Sequence, residues 1–186
     1  MNFMNQLPVV ERALRLATRA HEGQKRKDID LPYIIHTVAV ALIVAQYGFS
    51  ETVIAAALCH DVLEDTEVTE DELRNELGDE VVTIVKLLSY DEGVSWEEQR
   101  KRYVEVVRTA PIEVKAVSTA DKIHNARSLI ATYAERGPAT WSLFTRPKHI
   151  KLWFEEEMVK MLRETWQHPM IEEYARLVEV MKSLDQ

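Results

Sequence analysis

His60 and Asp61 are followed, one helical turn later, by Glu64 and Asp65. Imidazole nitrogens and carboxylate oxygens are common ligands of divalent cations. Residues four apart lie on one helix face, so His60 pairs with Glu64 and Asp61 with Asp65. A cation held by His60 and Asp61 has two carboxylates beside it, placed to hold, orient or deprotonate water, or to protonate a leaving group. The apolar run Ala55, Ala56, Ala57, Leu58 and Cys59 precedes them. Ionisable groups at the end of a buried helix are costly without compensation, and a cation compensates. The alternative is a helix end that opens into solvent with its acids hydrated. The spacing leaves both open.

Other candidate ligands are His36 and Asp121, with His124 and Asn125 a turn beyond Asp121. Each has an ordinary reading, His36 as a core histidine and Asp121 as a partner of Lys122. Lys25, Arg26 and Lys27 form a basic cluster just before the helix that carries His36, in a chain of net charge -8. It suits a phosphate ester or pyrophosphate beside a metal cleft, or else it is a solvated loop. Cys59 is a poor nucleophile, because its apolar neighbours raise the thiol pKa. No nucleotide P-loop and no Gly-x-Ser-x-Gly elbow is present.

These groups have to be positioned by helices. With 186 residues the chain suits one domain, residues 1–186, around one core. Five glycines and six prolines are few for that length and argue against a turn-rich β fold. The apolar stripe from Val9 to Ala20 ends near Gly23, and Pro32 opens a helix through about Tyr47, closed by Gly48. Ser50 is the expected N-cap of an apolar helix that runs into His60 and Asp61. Thr69 and Glu72 make a capping-box pair for a short helix that stops at Gly78, and residues 79–88 are helical again. Ser95 caps a helix through Thr109, Pro111 starts a long one to Arg136, and residues 147–167 and 170–184 supply the last two. The expectation is an all-α bundle of about eight to ten helices.

The acidic surface disfavours nucleic-acid backbones. The longest strongly apolar run, Val38 to Ala45, is far below the ~20 residues that span a bilayer. A lone buried cysteine and no visible signal peptide point to the cytoplasm, without membrane association. Oligomeric state is left open.

Four segments in order carry a resemblance: His21-Glu22-Gly23-Gln24 with Arg26-Lys27, Pro32-Tyr33-Ile34-Ile35-His36, His60-Asp61-Val62-Leu63-Glu64-Asp65-Thr66, and Ala120-Asp121-Lys122-Ile123-His124-Asn125. Together they resemble the HD-domain hydrolases of the RelA/SpoT type, small stand-alone alarmone hydrolases among them. The resemblance covers roughly residues 9–165. It implies an all-α HD fold with one divalent ion, usually manganese, held by His36, His60, Asp61 and Asp121. It makes Glu64 and Asp65 the catalytic acids. Arg26, Lys27 and Asn125 would meet the nucleotide, Arg26 by stacking on the base. His21 has no ligand role in that pattern. The implied activity is hydrolysis of a phosphorylated nucleotide, foremost removal of the 3′-pyrophosphate of (p)ppGpp.

Three positions depart from the family pattern. The loop Asp28-Ile29-Asp30-Leu31 lacks a common glycine, and Thr37 stands where proline is frequent. Glu92 stands where many small relatives carry a lysine for the substrate phosphates, and a carboxylate there repels pyrophosphate. Two alternatives therefore stay open. One is an HD-type nucleotide phosphomonoesterase, NADPH phosphatases included. The other is a catalytically silent nucleotide-binding domain.

Overall fold

The computed structural model describes residues 7–26, 30–89 and 93–185. Among the described residues there are ten α-helices and no strand beyond an isolated bridge between Lys25 and Pro32. In chain order they are α1 (Val9–Ala20), α2 (Ile34–Gln46), α3 (Glu51–Leu58), α4 (Val62–Asp65), α5 (Glu70–Leu77), α6 (Asp79–Leu88), α7 (Trp96–Thr109), α8 (Ile112–Arg136), α9 (Lys148–Thr165) and α10 (Pro169–Ser183). The all-α expectation holds. None of these helices is long and apolar enough to cross a membrane.

Local signals set most of the helix ends. Thr69 and Glu72 form the reciprocal capping box at α5. Gly78, with φ 90°, takes the backbone conformation that ends α5 and opens α6. Ser95 accepts the Glu98 amide at the start of α7. Gly137, with φ 60°, stops α8, and a 3-10 helix over Gly137–Leu143 follows that the sequence pattern did not predict.

Two boundaries next to the candidate site differ from expectation. α2 begins at Ile34 rather than Pro32, because Pro32 joins the bridge to Lys25 and the Tyr33 amide bonds the Gln24 carbonyl. The helix expected to run through His60 stops at Leu58. The Cys59 amide bonds Ala56 three residues back, tightening the turn, and α4 starts afresh at Val62. His60 and Asp61 therefore stand in a break between two helices, not on a continuous one.

Small buried residues on α3, Ala55, Ala56 and Ala57, let α1, α2 and α6 pack closely around it. The long α8 packs against α2 and α10 and buries Val117, Ala120 and Ile123. α9 and α10 add Met158, Leu162 and Tyr174 to the same core. Each large apolar side chain buried in this way contributes roughly 1.5–3 kcal/mol. A satellite cluster of Ala126, Leu129, Trp141 and Met181 fixes the far end of α8. The result is a rigid floor under the residues that α2, α4 and α8 present.

Candidate active site

The break after α3, the first turns of α2 and the middle of α8 meet at one point. Nitrogens of His36 and His60 and an oxygen of Asp121 all lie within 4.8 Å of one another. His36 Nε2 stands 3.2 Å from Asp121 Oδ1 and 3.5 Å from Asp61 Oδ2. His60 Nε2 stands 3.1 Å from Asp61 Oδ2 and 3.8 Å from Asp121 Oδ1. Both rings are buried, at 1% and 5% exposure, so the convergence is not a solvated helix end.

The surroundings orient these atoms. His60 Nδ1 donates to the Ala57 carbonyl at 2.7 Å, which turns Nε2 toward the acids. That nitrogen is buried yet forms no aligned hydrogen bond. A buried lone pair aimed at two carboxylates is the arrangement a cation satisfies. His36 Nδ1 meets His124 Nδ1 at 2.7 Å, so the second histidine is oriented from behind as well. Tyr33 donates to Asp61 Oδ2 at 2.7 Å. Lys122 donates to Asp121 Oδ2 at 2.7 Å and Asn125 to Asp121 Oδ1 at 2.5 Å. The donor set, two imidazoles and two carboxylates, fits a divalent ion.

Charge balance shows in the proton affinities. Burial alone would raise both carboxyls, yet His60 and His36 hold Asp61, and Lys122 with the two histidines holds Asp121, well below the usual carboxylate range. Glu64 behaves oppositely. Burial, then the charges of Asp61 and Asp65, push its carboxyl up to about 7. Burial and Asp61 raise Asp65 too. One site thus holds two permanently ionised carboxylates and a third poised to exchange a proton near neutrality.

A cleft of about 630 Å³ opens over this cluster. Glu64 and Asp65 line it, as do Gln24, Lys25, Arg26 and Asn125. Arg26 Nη2 donates to Asn125 Oδ1 at 3.1 Å, and its guanidinium lies over Tyr33 at 5.9 Å. Arg26 and Asn125, expected at one edge, are therefore joined to the Asp121 carboxylate by a single chain of hydrogen bonds. Lys27 and Glu92 lie outside the described residues. His21 is buried behind the cleft wall, where its Nδ1 pairs with Gln24 Oε1 at 2.8 Å and its ring packs on Tyr33 at 4.9 Å.

Sequence reasoning did not weigh the opposite wall, where Trp96, Arg100, Lys151, Phe154 and Glu155 face the same cleft. One signal was available. Trp96, Tyr103, Val104 and Val107 form the packing stripe of α7, and Arg100 is a charge inside it.

A buried cluster of two histidines and two carboxylates that fits a cation, on an all-helical scaffold with a carboxyl of raised pKa beside it, defines a class of metal-binding helical domain. The chain belongs to the HD domain family, whose model matches residues 13–147. It is 40% identical over 120 residues to a Haemophilus influenzae protein named guanosine-3′,5′-bis(diphosphate) 3′-pyrophosphohydrolase. That match takes in 61% of this chain and 18% of the relative, so the chain corresponds to only a part of that longer protein. A Danio rerio protein of the same name is 33% identical over 162 residues, 84% of this chain and 86% of the relative. A Listeria monocytogenes crystal structure superimposes with a TM-score of 0.75 at 35% identity, covering 80% of this chain and 99% of that one.

Proposed function

We propose that this chain is a metal-dependent phosphohydrolase of phosphorylated nucleotides, with 3′-pyrophosphohydrolysis of guanosine-3′,5′-bis(diphosphate) as its specific activity. The observation that carries the reading is the convergence of His36, His60 and Asp121 with Asp61 beneath a cleft lined by Glu64 and Asp65. The activity named for the Danio rerio relative, over most of both chains, supports the substrate. Residues 1–186 act as one domain, and manganese is the ion we assign to His36, His60, Asp61 and Asp121. We place the activity in the cytoplasm, where the free, buried thiol of Cys59 stays reduced.

Hydrolysis breaks the P–O bond to the ribose 3′ oxygen, adds the hydroxyl of water to phosphorus and returns a proton to the leaving oxygen. A divalent ion, when bound, lowers the pKa of water and neutralises phosphate charge. The chain's own groups do the rest. Tyr33 and His124 hold Asp61 and His36 in orientation. Glu64, with its carboxyl near 7, carries the mobile proton to the leaving oxygen, and Asp65 shares the acid–base work. Arg26 and Asn125 form the nucleotide edge, Arg26 with a planar face suited to stacking on the base. Lys27 belongs to the same edge by its place in the sequence.

The test is a panel of phosphorylated nucleotides incubated with manganese-loaded protein. Pyrophosphate release from guanosine-3′,5′-bis(diphosphate), lost in Asp61→Ala and Asp121→Ala, is the expected result. Full metal occupancy with no turnover of any nucleotide would overturn the reading.

A further inference from the structure

Glu64 and Asp65 sit on α4, a helix of four residues. So short a helix does not hold itself, and its place is set by what its ends touch. At its C-terminal end the Val62 carbonyl accepts from the Thr66 hydroxyl at 2.7 Å, a local contact. The Asp65 carbonyl accepts from Gln24 Nε2 at 2.8 Å, which ties α4 to the chain just beyond α1.

Gln24 is held in turn. His21 ends α1, and Gly23, with φ 77°, turns the chain so that the Gln24 amide bonds the His21 carbonyl at 3.1 Å. A carbonyl oxygen only accepts, so the Gln24 side chain presents its nitrogen to Asp65 and its oxygen to His21. His21 Nδ1, 2.8 Å from that oxygen, therefore carries a proton and donates. The ring is only 2% exposed, and its Nε2 is buried with no hydrogen bond among the described residues. A position kept for packing alone suits an apolar ring, since a buried nitrogen without a partner is costly. The donor at Nδ1 is what an imidazole adds here. The same ring packs on Tyr33, which donates to Asp61.

We propose that His21 and Gln24 are positioning residues for the acid pair. Two hydrogen bonds in series, from the end of α1 through Gln24 to the Asp65 carbonyl, hold α4 so that Glu64 and Asp65 face the reacting phosphate. This rests on the phosphohydrolase reading above. Gln24 also lines the cleft, so contact with the nucleotide is the competing role, and that role would appear in KM.

Three variants of the manganese-loaded full-length protein test the relay. Gln24→Met removes both of its side-chain bonds at nearly unchanged size. His21→Phe keeps a ring against Tyr33 and removes the donor, and His21→Asn puts an amide donor near the place of Nδ1. With guanosine-3′,5′-bis(diphosphate), Gln24→Met and His21→Phe should each lower kcat about 10–100-fold, the loss expected when reacting groups are misplaced by about 1 Å. KM should stay within about threefold, and His21→Asn should be about fivefold or more faster than His21→Phe. Manganese affinity, read from the electron paramagnetic resonance of the free ion, should stay within about twofold of wild type in all three. A rise in KM with kcat unchanged overturns the assignment and makes Gln24 a substrate contact. A fall in kcat that tracks a loss of manganese overturns it too, and equal rates in His21→Phe and His21→Asn remove His21 from the relay. Should a His21 variant fail to fold, Gln24→Met on the cleft wall decides.

Two readouts need no turnover. Nitrogen NMR should show His21 protonated at Nδ1. Hydrogen exchange across α4 should quicken in Gln24→Met and His21→Phe while that of α6 does not. If the wild-type protein hydrolyses no nucleotide, the phosphohydrolase reading fails while these two still read the relay. A bare Nδ1, or unchanged exchange in both variants, overturns it.

Discussion

Tyr33 donates its phenolic proton to Asp61 Oδ2 across 2.7 Å, which joins the start of α2 to the break after α3. Burial, then the Asp61 charge and the hydrogen bond itself, push the phenol pKa far above its ordinary value, so Tyr33 is a donor at every working pH. Groups that orient metal ligands typically control affinity by about 10–100-fold. Tyr33→Phe is therefore expected to weaken manganese binding by about that factor with the helical content unchanged. A manganese titration that matches wild type would remove Tyr33 from the site.

Metal binding should stabilise the fold, because the donors converge only when folded. At a free ion concentration of ~100 times Kd the stabilisation is about 2.7 kcal/mol. For a chain of this size that corresponds to a rise in Tm of roughly 5–10 °C. Asp121→Ala should abolish the shift. A full manganese-dependent shift in that variant would mean the ion binds elsewhere.

Glu64 makes stability depend on pH in a direction opposite to Asp61 and Asp121. Its carboxyl is raised from 4.5 to about 7 in the folded protein. Between those values the folded state binds more protons than the unfolded state, so stability falls as pH rises through that window. Glu64→Gln removes the penalty. In the presence of a chelator, the variant should melt higher than wild type at pH 8 and the same at pH 4. An equal difference at both values would show that the ionised carboxylate is not the cause.

Thr69 and Glu72 close the capping box of α5, on the surface and away from the cleft. Thr69→Ala should cost about 1 kcal/mol and lower Tm by roughly 2–4 °C. Hydrolysis below the melting range should be unaffected. Loss of activity well below Tm would show that α5 takes part in the site.

Helix periods and caps made most of the fold legible, down to the ends of α6 and α7, because those ends depend on local residues such as Gly78 and Ser95. The break at Cys59 was not legible. No glycine or proline marks it, and its stabilising contact is the His60 ring on the Ala57 carbonyl. The same limit governs the site. His60 and Asp61 stood out by type and spacing, His36 and Asp121 only through the family resemblance, and the structure brings the four together. Arg100 did not stand out, since its neighbours Phe154 and Glu64 are far away in sequence and only the packing of α7 on α9 makes them adjacent. The position that raised a doubt about pyrophosphate, Glu92, lies outside the described residues.

The register of α8 carries one more consequence. Val117, Ala120 and Ile123 are buried in the core, while Asp121, Lys122, His124 and Asn125 on the same few turns serve the cleft. Each residue advances a helix by 100°, so inserting or deleting one residue between Val114 and Ala126 turns one set into the place of the other. Many single replacements along this stretch leave that phase intact. A change of length does not, and it costs the core and the chemistry together.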